Sequence, residues 1–94
     1  MIITEVIWKE EFVKKIESKH KVTTFEVEEV LRDKRKVRCM TKGDVKGENV
    51  YLSLGQTNTG RYLSVFFILK KNHSVLPISA RDMDNKERRQ YERK

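Results

Sequence analysis

The 94-residue chain has one cysteine, Cys39, one proline, Pro77, two histidines and four glycines. A single thiol excludes an internal disulfide, so the fold must rest on its core, and a reducing compartment fits. His20, His73 and Cys39 lie on separate segments without the ligand spacing of a zinc site. The glycines at 43, 47, 55 and 60 sit in turn-like stretches, and none builds a phosphate-cradling loop. No serine or cysteine occupies a nucleophile elbow. Long apolar runs are missing as well: the longest, Val65–Leu69, is far too short to span a bilayer. Glutamates among the first apolar residues speak against a secretory leader. A soluble, cytoplasmic protein with no metal, no cofactor and no membrane contact is expected.

What the chain does have is charge. Charged residues make up 37% of it and the net charge is +7. The distribution is uneven: residues 1–31 are net −2, whereas residues 32–46 carry +5 through "RDKRKVR" and its surroundings. Such a field attracts polyanions, chiefly nucleic acid, or an acidic protein partner. The apolar residues, another 37%, are clustered rather than scattered, which argues for a folded core over disorder. The length allows one domain, residues 1–94, with one modest core.

Periodicity supplies the elements. Ile2, Ile3, Val6 and Ile7 suggest a short opening strand. Trp8, Phe12, Ile16 and His20 recur every fourth residue, the stripe of a helix over about 9–20. A second helix follows, opened by a Thr23–Glu26 capping box and buried along Val27, Val30 and Leu31. From Val37 the period becomes two. Turns are expected at 41–48, 55–60 and 71–74, with strands between them. The strand at 50–54 reads as half-buried, and "RYLSVFFILK" (61–70) as a central strand covered on both faces. Pro77 cannot donate to a ladder, so the last strand, Val75–Arg81, should lie near an edge or carry a bulge. Asp84 and Glu87 form another capping pair, and a charged, weakly apolar helix should run from about 85. Helices, an antiparallel meander and a closing helix make a two-layer α+β domain.

Without metal ligands, the chemistry within reach is acid–base work on a phosphodiester. The 2′-hydroxyl of RNA can attack the adjacent phosphorus if a protein moves two protons and stabilises the charged phosphorane. Arg61 and Arg81, at strand ends, are candidates for that charge. Glu87, His20, Tyr91 and Glu48 are candidates for proton transfer or substrate placement. Each also has an ordinary reading: Arg61 as a strand-end charge, Arg81 as a partner for Glu87, Glu87 as a cap, Tyr91 as the anchor of its helix, His20 as a helix C-terminal residue, Glu48 as a turn residue. Spacing alone does not choose between these readings. Nor does it exclude a basic binding module for a protein or nucleic acid without catalysis.

The order of motifs resembles the BrnT family of type II toxins. The likeness is carried by "IWKEEFVKKIESKHKVTTFEVEEVL" (7–31), "GENVYLSLGQTNTGRYLSVFF" (47–67) and "ISARDMDNKERRQYE" (78–92). Matching positions are Trp8, Lys19–His20, Phe25, Glu28–Glu29, Gly47–Glu48, Gly60–Arg61, Ile78 to Arg81, Glu87–Arg88 and Tyr91. Where the family has His-Gly-Val, this chain has His20-Lys21-Val22, and it has Asp82 where a basic residue is common. The resemblance implies a RelE-like fold and a growth-arresting endoribonuclease. Arg61, Arg81, Glu87, His20, Tyr91 and Glu48 would form its site, and Lys19 and Arg88, at matched positions, would hold RNA together with Lys21, Arg35, Lys36 and Arg38, which are candidates by their charge alone. It also implies a ribbon-helix-helix antitoxin of the BrnA type, a heterotetramer with it, and operator DNA bound through that antitoxin.

Overall fold

A computed structural model describes residues 3–32, 36–45 and 48–93, with the backbone alone for 36–45, 48 and 49. The elements are β1 (Glu5–Val6), α1 (Glu10–His20), α2 (Thr24–Arg32), β2 (Lys36–Val45), β3 (Glu48–Gln56), β4 (Tyr62–Leu69), β5 (Ser74–Asp82) and α3 (Asn85–Glu92). The sheet order is β1-β5-β4-β3-β2. Strands β2 to β5 form the expected antiparallel meander. The small β1 departs from it, pairing parallel with Ser74 and Val75. This is an α+β fold on a small sheet, as the pattern of periods predicts.

Helix α1 begins with Glu10 and Glu11 and ends with Lys19 and His20, charges that suit both ends of its dipole. It stops because Lys21 turns into the left-handed region, φ 56°, and Val22 N–H reaches back to the Ile16 carbonyl at 3.4 Å. The next helix starts two residues on. Glu26 N–H donates to Thr23 Oγ1 at 3.1 Å, and Thr23 N–H donates to Glu26 Oε1 at 3.0 Å, so the capping box is closed both ways. Trp8 joins the two helices: its indole N–H donates to Glu28 Oε2 at 3.1 Å.

The core lies between these helices and one face of the sheet. Ile16, Val22, Val27, Val30 and Leu31 pack against Leu63, Val65, Phe67, Val75 and Ala80. Strand alternation then puts Ser64, Phe66 and Ile68 on the opposite face. There α3 caps the end of the sheet, held to Ser64 and Arg81 through Glu87. Strand β3 is therefore buried on both sides around Leu52, Ser53 and Leu54, where the sequence pattern predicts half-burial.

Two strands run further than the glycine spacing suggests. β2 continues through Val45 by way of two register irregularities, so residues 41–45 of the expected 41–48 turn belong to the strand, and residues 46 and 47 lie outside those described. β3 runs on through Gln56, leaving a turn at 57–60 in which Gly60 takes φ 96°. In β5, Phe67 faces Pro77 and Phe66 faces Ser79, so Ile78 is an extra residue, the bulge that Pro77 foreshadows.

Gly55 lies directly beneath Val30 of α2. A Cβ there would lie 2.8 Å from Val30 Cγ1. Val30 is β-branched and stiff within a helix, so the helix would have to lift. Gly55→Ala should therefore destabilise by about 1–3 kcal/mol, read as a lower urea midpoint with an unchanged slope. An unshifted midpoint would show that the α2–β3 contact is soft.

Candidate functional site

Successive residues of a strand point to opposite faces. Arg81 and Asp82 end β5, so they serve two different clusters at the same end of the sheet, where β4 begins.

On the α3 face, Arg81 meets Glu87 in a two-pronged ion pair, with both N···O distances at 2.7 Å. Arg81 is level with Ser64 across the ladder, and Ser64 Oγ donates to Glu87 Oε1 at 2.8 Å. Asp84 N–H donates to the same oxygen at 3.0 Å, and Glu87 N–H returns a bond to Asp84 Oδ1 at 2.7 Å. Glu87 is thus cap, ion-pair partner and the buried residue of α3 at once. Burial opposes its ionisation, but the bonds from Arg81, Asp84 and Ser64 outweigh burial and hold the carboxyl below its usual range. The Arg81 guanidinium rests over the Phe66 ring, 5.4 Å from the centroid, and also donates to the Asp82 carbonyl. Beside it, Arg88 stacks on Tyr62 at 3.5 Å and Tyr91 meets Tyr62 edge-on at 5.9 Å. Tyr91 is the anchor its position suggests.

On the α1–α2 face, Arg61 precedes β4 and donates in five directions. Nε and NH2 hold Asp82 at 2.8 and 3.3 Å. NH1 reaches the Lys21 carbonyl at 2.8 Å and Glu26 Oε1 at 3.2 Å, and NH2 reaches the His20 carbonyl at 3.1 Å. The Arg61 bond, with help from its charge and that of His20, keeps the Asp82 carboxyl lowered against partial burial. Asp82 in return raises the Arg61 pKa.

The two arginines differ in what they have left. A guanidinium carries five N–H groups. Those of Arg61 are all taken. Arg81 gives three to Glu87 and Asp82, and its Nε–H and one NH2 hydrogen have no acceptor among the described residues. One third of the Arg81 side chain is exposed, 33%. Lys19 and Lys21 are exposed at the end of α1 and His20 is half-buried between them. Phe25, 72% exposed, stands on the first turn of α2.

The remaining expected residues lie elsewhere. Glu48 starts β3 at the far end of the sheet, eight residues from Gln56, which pairs with Tyr62. That is about 26 Å of strand at roughly 3.3 Å per residue. Lys36 is in register with Leu54, Ser64 and Arg81, and Arg38 with Leu52, Phe66 and Ser79. Arg35 lies outside the described residues. Ser64 and Tyr62 escape the sequence reading, and Glu26 enters it only as a cap. The signal for Ser64 and Tyr62 is phase, since Tyr62, Ser64 and Phe66 share the face that the core does not use. No group of three His, Cys, Asp or Glu side chains among the described residues is placed to hold a metal ion. No described helix is long and apolar enough to cross a membrane.

No curated protein matches the chain. The family model for the BrnT ribonuclease toxin of type II toxin-antitoxin systems matches residues 8–87. That span runs from the Trp8 hinge of α1 and α2 to the Glu87 that holds Arg81, and so includes both arginine clusters. The chain belongs to the BrnT family of ribonuclease toxins.

Proposed function

We propose that this toxin is a metal-independent endoribonuclease working at the β4–β5 end of the sheet. The observation that carries the reading is the pair of Arg81 N–H groups that have no acceptor among the described residues, on a side chain that Glu87 holds in place. The 2′-oxygen of RNA bonds to phosphorus, the bond to the 5′-oxygen breaks, and the products are a 2′,3′-cyclic phosphate and a 5′-hydroxyl. Arg81 stabilises the added charge of the phosphorane. His20 takes the proton from the 2′-hydroxyl and returns it to the leaving 5′-oxygen. Lys19 and Lys21 steer the backbone and Tyr91 places the strand. Glu87, ionised and saturated, orients Arg81 rather than exchanging protons itself. The basic strand with Lys36 and Arg38 extends the path for RNA.

Cleavage would halt translation and growth in the cytoplasm until a cognate antitoxin covers the site. The family resemblance supports a ribbon-helix-helix antitoxin of the BrnA type, joined to the toxin in a heterotetramer that engages operator DNA through the antitoxin. A second reading, a basic module that binds without cutting, draws on the filled fork of Arg61. The deciding experiment is purified toxin on single-stranded RNA, with and without EDTA. Cleavage that survives EDTA and leaves cyclic phosphate ends is expected. Cleavage abolished by EDTA sinks the metal-free mechanism, and salt-sensitive binding with intact RNA favours the second reading.

A further inference from the structure

Arg61 stands where a phosphate ligand is expected, but its geometry serves another task. Its five N–H groups meet acceptors from three elements: the end of α1, the start of α2 and the end of β5. Two of those acceptors, the His20 and Lys21 carbonyls, belong to a helix terminus, where carbonyls lack intrahelical partners. Lys21 holds a left-handed conformation that L side chains rarely adopt, and it has no glycine to ease it. The clamp is itself anchored. Arg61 N–H donates to Thr57 Oγ1 at 3.0 Å, and the Arg61 carbonyl accepts from Thr57 N–H at 2.8 Å. A phosphate reaching this guanidinium would have to displace a carboxylate or a carbonyl already bound.

We propose that Arg61 is a positioning residue: it fixes the His20–Lys21 turn against the end of β5, and so places His20, Lys19 and Lys21 relative to Arg81 without touching RNA. The catalytic consequence rests on the ribonuclease reading above, and the structural one does not. Only a planar fork satisfies acceptors in five directions, so lysine, with three donors on a point charge, cannot replace it. A phosphate ligand would tolerate lysine far better.

The test combines Arg61→Lys with Lys21→Gly, which removes the left-handed strain. Two readouts are taken on the full chain: amide exchange at Val22, and single-turnover cleavage and salt-dependent binding of single-stranded RNA. In Arg61→Lys, Val22 exchange is expected to quicken at least tenfold and the cleavage rate to fall at least tenfold. The slope of log affinity against log salt should stay as in the parent. In the Lys21→Gly background the same replacement should lower the rate less than threefold, measured against Lys21→Gly alone. The proposal is overturned if Arg61→Lys leaves Val22 exchange unchanged. It is equally overturned if Arg61→Gln lowers the salt slope by about 0.7, the signature of one lost phosphate contact on a single strand. Should the Arg61 variants not fold, Asp82→Asn loosens the same clamp, and unchanged Val22 exchange in that variant overturns the proposal too. If the parent does not cut RNA, the ribonuclease reading falls and the exchange data still decide the clamp.

Discussion

Replacing Glu87 by alanine should lower global stability by about 2–4 kcal/mol and release α3 before the rest of the molecule unfolds. Glu87 is the buried residue of the helix and ties it to the sheet, alongside the Tyr91–Tyr62 edge contact and the Arg88–Tyr62 stack. Alanine removes four hydrogen bonds at once and strands Arg81, Ser64 Oγ and the Asp84 N–H. Arg81 is one-third exposed and can rehydrate, so the loss falls below that of a fully buried pair. Glu87→Gln keeps the cap geometry and should lose less. Urea unfolding followed by tyrosine and tryptophan fluorescence, together with amide exchange across 85–92, reads both effects. Equal stability of Glu87→Ala and the parent would mean that α3 is held by its aromatic contacts alone.

The same carboxylate sets the acid response. Its folded pKa lies below that of the unfolded chain, so its stabilisation is complete above the ordinary carboxylate range and is lost as pH falls through the folded value. Asp82 acts in the same direction, weakened by its exposure. The stability curve of the parent should therefore be flat near neutrality and fall on the acid side, with a shallower fall in Glu87→Gln.

The second large effect is expected at Arg81. Arg81→Gln should slow RNA cleavage at least a hundredfold, because it removes the charge assigned to the phosphorane. It also leaves Glu87, mostly buried, without its counterion, so instability alone could mimic the result. Arg81→Gln/Glu87→Gln separates the two causes. A neutral amide pair retains hydrogen bonding without stranding a charge, and its stability should return to within about 1 kcal/mol of the parent. Cleavage should stay lost. A double variant that regains cleavage would make Arg81 a structural residue.

Local devices were legible in the sequence because both partners lie within one turn. The Thr23–Glu26 and Asp84–Glu87 boxes are of this kind, and both close as expected. The doubly covered β4 and the bulge beside Pro77 also follow from pattern and from the missing proline N–H. The parallel pairing of β1 was not legible, since two residues carry no periodicity. The Arg61 cluster was hidden for a different reason. Its acceptors lie 21 to 41 positions away, and two of them are backbone carbonyls, which leave no mark on side-chain identity. Glu48 shows the limit of motif order, which ranks residues along the chain without giving their separation in space. Lys21 shows the reverse: the glycine of the family pattern marked a left-handed position, and the structure keeps that conformation with a lysine in it.

The bulge at Ile78 has a bearing on all of this as a parity switch. Were Ile78 an ordinary paired residue instead of a bulged one, strict alternation from Val75 would swap the faces of Arg81 and Asp82. Arg81 would then confront Arg61, and Asp82 would confront Glu87, turning two attractive pairings into two repulsive ones. One unpaired residue, five positions into a nine-residue strand, thereby decides the sign of the electrostatics on both sides of the sheet.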